Sequence, residues 1–226
     1  MLPAPTTDHI AEWVGVHLGH LTAETDVVAS PRFRGTQAAA DRALASLDIT
    51  GYARRRNEVL PESRRGATAL SPYIRHGLLS LPQVSAATKN ALSKDRQKFR
   101  DELLWQEYAR HVYARLGART ARALRFEPAG DADPDGSDPW DRSMACMDAT
   151  VGELERDGWL VNQTRMWLAS QWTVRSGVPW RDGEDHFFTH LLDGSRAANR
   201  LGWQWTIGAG TGKPYGFSRW QVEKRA

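Results

Sequence analysis

The 226-residue chain has one cysteine, Cys146, so it can build no internal disulfide, cysteine-based zinc cluster or iron–sulfur site. It has no apolar run of membrane-spanning length, and it opens on Met1-Leu-Pro-Ala-Pro-Thr-Thr-Asp8 without the basic and apolar regions of a signal peptide. No membrane association is expected, and the expected location is the cytoplasm. A strong charge of either sign is also missing: 30 Lys+Arg stand against 27 Asp+Glu, a net of +3, too mild by itself to require a nucleic-acid partner. No stretch sustains the alternation of a strand and no internal repeat is visible, so the expected fold class is all-α with irregular functional loops. At 41% hydrophobic and 25% charged residues the composition is that of one ordinary globular domain.

What the chain has in excess is tryptophan: ten, of which eight lie between Trp105 and Trp205. Arginine clusters at Arg54-Arg55-Arg56 and Arg64-Arg65, while acids gather between Asp131 and Asp141. Apolar residues at helical spacing predict a helix over 10–21, an Ala-rich one over 36–47, and further helices over 72–77, 81–92, 94–116, 144–156, 158–175 and 183–192. Residues 52–71 carry Arg, Gly and Pro with no sustained period and read as a long loop; loops of that length inside a domain are usually functional. Residues 127–141 read as a second, acidic loop.

Three motif candidates fail on chemistry. Asp131-Ala-Asp133-Pro-Asp135-Gly136 begins like a calcium loop, but its twelfth position is Arg142 rather than a bidentate carboxylate. His186 and His190 stand one helical turn apart near Asp182, Asp185 and Asp193, yet the His-Glu-x-x-His pattern is absent and no metal is expected. Gly208-Ala-Gly-Thr-Gly-Lys213 resembles a phosphate-binding loop only superficially: Ile207 stands at its first glycine and Pro214 where Ser or Thr must meet magnesium.

Three segments combine polar and aromatic residues in a way core packing does not ask for. Asn162, Arg165, Met166 and Ala169 share one stripe of a helix whose other faces are mostly apolar, so the Asn and Arg each need a partner. The partner is an acid such as Asp148 or Asp193, or a polar ligand held inside the domain. Glu102, Trp105, Gln106 and Ala109 form a stripe away from the Phe99/Leu103 core line. Residues 193–205 set an acid, Asn199 and two tryptophans on what reads as a Gly-broken turn.

In order and spacing, Gly158-Trp-Leu-Val-Asn-Gln-Thr-Arg-Met166, Trp180-Arg-Asp-Gly-Glu184 and Asp193-Gly…Ala-Ala-Asn199…Gly-Trp-Gln-Trp205 resemble the flavin-binding domain of DNA photolyases and cryptochromes. Gly51-Tyr52…Arg56, Thr68-Ala-Leu-Ser71-Pro-Tyr and Glu102-Leu-Leu-Trp-Gln-Glu107 match further blocks of that family, and the likeness runs from about Phe33 to Tyr215. The resemblance implies a multi-helical FAD-binding domain over 1–226, with a lead-in helix in 1–32 and a short tail from 216. It implies an FAD held by Tyr52, Thr68, Leu70, Ser71 and Asn162, an Arg165–Asp193 pair beside the flavin, and Asn199 facing the flavin N5. It further implies that Glu102, Trp105, Met166 and Trp205 line the cavity for a flipped pyrimidine dimer. Trp203 and Trp180 become the first members of an electron relay.

The chain departs from the family pattern at several positions. About thirty residues precede Phe33, where relatives carry an α/β antenna domain, so no antenna chromophore is expected. Ala67, Gln106, Gln163 and Ser195 replace a phosphate-contacting Thr or Ser, two arginines and a second Asp. Arg142-Ser-Met-Ala-Cys146 replaces a Thr-Gly-Tyr-Pro stretch, and the outer relay tryptophan is missing, leaving Trp140, Trp167 or Trp172 as substitutes. The expected function is light-driven repair of cyclobutane pyrimidine dimers in damaged DNA, preferably single-stranded, with no obligate protein partner. The alternatives are a light-independent flavoenzyme acting on a small molecule and a cryptochrome-like blue-light sensor, the latter opposed by the short tail.

Overall fold

A computed structural model of the chain describes residues 2–4, 9–21, 27–128 and 138–225. The chain falls into two compact units, Met1–Arg34 and Gly35–Ala226. The acidic run 131–137, including the calcium-like motif, lies outside the described residues. No strand occurs among the described residues, so the expected all-α class holds, and no helix among them is long and apolar enough to cross a membrane.

The first unit contains α1 (Ile10–Leu18), continued by a 3-10 turn at Gly19–Leu21, with Trp13 and His17 one turn apart and their rings 4.9 Å from each other. The second unit begins with α2 (Gln37–Ala45), whose N-cap Thr36 accepts a hydrogen bond from the Ala39 N–H. The expected loop at 52–71 contains a short helix, α3 (Tyr52–Arg55), and a 3-10 turn at Glu62–Arg64. Propensity does not produce α3. Asp95, from the next long helix, accepts from the N–H groups of Gly51 (2.9 Å) and Ala53 (2.8 Å), closing the orphan donors at its start, while Gly51 takes a left-handed φ of 74°. Helices α4 (Ser71–Arg75) and α5 (Leu81–Ala87) follow, the latter opened by a capping box between Ser80 and Gln83 with Pro82 in its first turn.

The 24-residue α6 (Ser93–Leu116) buries Phe99, Leu103 and Ala109; Ala109 thus belongs to the core line rather than to the Glu102/Trp105 stripe expected of it. α7 (Ala145–Asp157) buries Met147, Val151 and Leu154 at helical spacing and ends at Gly158 with φ 67°. The helix expected from Gly158 starts later, as α8 (Asn162–Ala169), and runs on into a π-helical turn at Ser170–Arg175. α9 (Trp180–His190) begins one turn earlier than expected. The segment read as a Gly-broken turn is a helix, α10 (Arg196–Thr206), with Ser195 as its cap. A last short helix, α11 (Arg219–Glu223), opens on a capping box between Ser218 and Gln221.

α10 packs against α6, α8, α9 and the 3-10 turn at Gly117–Ala121, so it is the hub of the unit. The core joins Val151 and Leu154 of α7 to Trp167 and Leu168 of α8, Phe187 of α9 and Trp203 of α10, with Trp140 and Phe217 closing its sides. A buried network centred on Glu184 ties α9 to α10: its carboxylate meets Arg196 at 2.8 Å and Arg200 at 3.2 Å. Arg196 also pairs with Asp185, and these acids raise its pKa although desolvation alone would lower it.

Candidate functional site

Beneath the start of α8 the chain builds a narrow polar corner from three separate segments. Arg165 donates through Nη2 to Oδ2 of Asp193 at 2.8 Å and through Nε to the Leu160 carbonyl at 3.1 Å. The guanidinium side chain is 22% exposed and the Asp193 side chain only 6%. The structure pairs Arg165 with Asp193, the acid that the resemblance implies.

The turn that carries Asp193 is held by three contacts from two segments. The Leu192 N–H donates to the Gly158 carbonyl (2.8 Å), His76 Nε2 lies 2.8 Å from the Leu192 carbonyl, and Arg75 donates through Nε to the Gly194 carbonyl (2.6 Å). A side chain at Gly194 would meet the Leu191 carbonyl at 2.8 Å, so this tight turn admits only glycine. α4 and the α7–α8 junction therefore fix the turn that carries the Asp193 carboxylate.

Among the described residues Asp193 Oδ1 and, further along the same segment, Asn199 Nδ2 and Trp203 Nε1 are buried and have no hydrogen-bond partner. An unsatisfied buried polar group typically costs about 1–3 kcal/mol, and two such groups, an acceptor and a donor, stand within seven residues of chain. An acceptor and a donor left open on one segment can be completed by a polar ligand. Asn199 and Trp203 are one turn apart on α10 and share a face.

The second wall comes from 67–71 and α3. Ala69 has φ 52°, unusual for a residue with a side chain. The N–H groups of Thr68, Ala69 and Leu70 donate to no protein acceptor among the described residues. Such a run of free N–H groups on a strained loop is the backbone chemistry that receives phosphate oxygens. Leu70 is buried, and Ser71 accepts a hydrogen bond at Oγ from the Trp159 indole at 3.0 Å. Tyr52 is buried edge-on to Phe99 at 5.0 Å; burial first, and then the Glu102 carboxylate, push its phenol well above the usual tyrosine range, so it remains a hydrogen-bond donor.

The rim is built on α6. Glu102 is 34% exposed and already paired with Lys98 at 2.8 Å and Arg56 at 3.2 Å. Trp105 is 61% exposed, with Tyr108 edge-on at 5.6 Å, and Trp205 is 51% exposed against Tyr215 at 5.8 Å. Two large flat rings held open to solvent on the neighbouring helices α6 and α10 are not core filling. Met166 is half-buried on α8, while Asn162, expected to be buried, is exposed at the first position of that helix.

Some sequence expectations find structural explanations. Gln163, at a position where the resembled family carries Arg, is buried and donates through Nε2 to the Tyr215 hydroxyl at 3.0 Å, thereby bracing the partner ring of Trp205. In the glycine-rich run 208–213 the Thr211 and Gly212 N–H groups both donate to the Gly208 carbonyl, so it is a closed turn and no phosphate cradle. His186 and His190 stack at 4.2 Å, and no cluster able to hold a metal ion exists among the described residues. Sequence reading missed Lys98 and Arg56 as partners of Glu102; only the helical spacing of Lys98 and Glu102 could have pointed to one of them.

Residues 99–221 match the family described as the FAD binding domain of DNA photolyase. The deoxyribodipyrimidine photo-lyase of Vibrio cholerae is 30% identical over 204 residues, covering 82% of this chain and 43% of that protein. A bacterial class III photolyase from Agrobacterium tumefaciens superposes with a TM-score of 0.71 at 27% identity, covering 79% of this chain and 39% of the other. An archaeal photolyase from Sulfolobus tokodaii, described as holding two FAD molecules, shares the fold with a TM-score of 0.75 at 22% identity, over 88% of this chain and 46% of its own. The chain belongs to the photolyase FAD-binding domain family, and it spans less than half the length of the relatives it matches.

Proposed function

We propose that the chain binds FAD and uses it for light-driven repair of cyclobutane pyrimidine dimers. The observation that carries the reading is the pair of buried, unpartnered atoms Asp193 Oδ1 and Asn199 Nδ2, which lie in the blocks that resemble the family and offer one acceptor and one donor to a flavin ring. The residues present fit the cofactor. Arg165 and Asp193 would hold its ring system, Asn199 would face N5, and Asn162 would meet its polar edge. Tyr52 and Ser71, with the free N–H groups of Thr68 and Leu70, would receive its ribose and phosphates. FAD would supply light absorption and the transfer of one electron to and from the dimer.

The chain's own residues do the rest. Trp105 and Trp205 stack on the extruded bases, each base–aromatic contact being worth about 1–3 kcal/mol. Met166 closes the apolar side of the cavity. Glu102 accepts a hydrogen bond from a ring N–H of the dimer, and the Lys98 and Arg56 cations beside it favour negative charge arriving on that dimer. Trp203, buried next to Asn199 on α10, is the nearest internal electron donor, and Trp180 at the start of α9 lies in the same core.

Extracting a dimer from a duplex costs a few kcal/mol. A chain with a net charge of only +3 has little phosphate attraction to offset that cost, which favours single-stranded substrate. The test illuminates the reduced protein with dimer-containing oligonucleotides, single- and double-stranded, and counts restored thymines. Light-dependent restoration, greater in single strands and lowered by Glu102→Gln at unchanged FAD content, is the expected result. FAD binding without restoration in either form would overturn repair and leave a light-independent flavoenzyme acting on a small molecule.

A further inference from the structure

A cleft of about 770 Å³ opens between α6 and the α4–α5 segment. The buried part of its lining is apolar: Ile74, Leu79 and Leu103. Arg75, Arg100 and Arg110 share the lining and are exposed, whereas the lining has one carboxylate, Glu107, which Arg110 already holds at 2.5 Å. Leu104 also lines the cleft and is 64% exposed. At about 100° per residue, Arg100, Leu103, Leu104, Glu107 and Arg110 centre on the side of α6 opposite to Glu102 and Trp105. The cleft and the rim therefore use opposite faces of one helix.

The charges of the cleft are placed to receive carboxylates. Among the described residues Arg100 forms no ion pair and no hydrogen bond. Arg75 is anchored through Nε, which donates to the Gly194 carbonyl at 2.6 Å, so its guanidinium is fixed without being neutralised. A fixed guanidinium loses little freedom when a carboxylate arrives, and its terminal nitrogens still offer a fork to it. Arg100 and Arg110 lie about 15 Å apart along α6, at 1.5 Å per residue, with the apolar lining beside them. One compact anion would meet only one end of that span, whereas a helix of three turns covers it. A nucleic-acid backbone would use the cations but gain nothing from Ile74, Leu79 and Leu103. Apolar anchors flanked by arginine are the composition of a protein-binding groove.

We propose that this cleft is the docking groove for an acidic amphipathic helix of a partner protein. The helix lays apolar side chains at i, i+3 or i+4, and i+7 over Ile74, Leu79, Leu103 and Leu104, and sets carboxylates against Arg75 and Arg100. Because the groove and the rim lie on opposite faces of α6, the partner and a damaged strand can be held at the same time. Docking here requires neither FAD nor a lesion.

The test selects a library of helical peptides, about 14 residues or roughly four turns long, on the immobilised chain, with Leu fixed at i, i+4 and i+7 and every other position free. Enrichment of Asp and Glu over Lys and Arg beside the fixed leucines is the expected result. Binding of one selected peptide, followed by fluorescence anisotropy, should weaken about tenfold or more in Arg100→Glu and in Leu104→Glu, the scale of one interface anchor. Arg100→Lys should keep most of it. Both side chains are exposed, so the melting temperature of each variant should hold, which separates a lost groove from a lost fold. Selection without acidic enrichment, or peptides that bind both variants as tightly as the wild type, would overturn the groove. Displacement of the peptide by an undamaged single-stranded oligonucleotide would assign the cleft to nucleic acid and overturn it as well.

Discussion

The buried corner and the rim of the candidate site are built on opposite principles. On α8 and α10 the polar groups are buried and incompletely satisfied: Arg165 and Asp193 pair, but Asp193 Oδ1 and Asn199 Nδ2 are left over. On the α6 rim the polar groups are partly open to solvent and already matched, with Glu102 held between Lys98 and Arg56, and the apolar ones, Trp105 and Tyr108, are exposed. A buried unsatisfied wall suits a ligand that is always present, because the ligand completes it. An exposed and self-satisfied rim suits a ligand that comes and goes, because its absence costs the protein little.

The sharpest way to break this contrast is Arg165→Ala. Removing one partner of a buried pair costs about 3–5 kcal/mol, and the low end applies to a guanidinium that is 22% exposed. The variant is expected to purify colourless or unfolded, as read by absorbance and thermal melting. A stable variant with full FAD would place the cofactor elsewhere.

On the rim, Trp105→Ala and Trp205→Ala are each expected to weaken binding of a dimer-containing single strand by about 1–3 kcal/mol, measured by fluorescence titration. Because both rings are more than half exposed, melting temperature and FAD content should hold. A rim variant that lost FAD would erase the distinction between corner and rim.

A smaller effect is expected from Tyr52, buried at the start of α3. Its folded pKa is raised above the ordinary value of 10.0, so the folded state keeps its proton after the unfolded state has lost it. Its contribution is whole below pH 10 and is lost as pH rises through the folded value. Urea melts across that alkaline range should show a steeper fall for wild type than for Tyr52→Phe. Equal slopes would mean that the phenol is solvated.

How much of this was legible follows from where each signal resides. α6 and α7 were readable because their core residues recur within the helix itself. α10 was not. Gly202 inside it costs roughly 1 kcal/mol of helix propensity, and the burial of Ala197, Asn199 and Trp203 against three other helices overrides that cost. α3 was hidden for a similar reason, since its first N–H groups are capped by Asp95, more than forty residues downstream.

The sequence by itself determined the all-helical class, the family and a short list of polar and aromatic residues with no packing reason to be together. The residues alone left the partner of Arg165 open between an acid such as Asp148 or Asp193 and a polar ligand, and the resemblance pointed to Asp193. The tertiary structure shows the Arg165–Asp193 pair formed, and it alone decided that Gln163 braces Tyr215 and that Trp172 and Trp203 both crowd Gly183. The physical reason is range. Periodicity and capping act within a few residues, whereas these contacts join segments 28, 52 and 31 residues apart, and only the packing of whole helices sets which side chains meet.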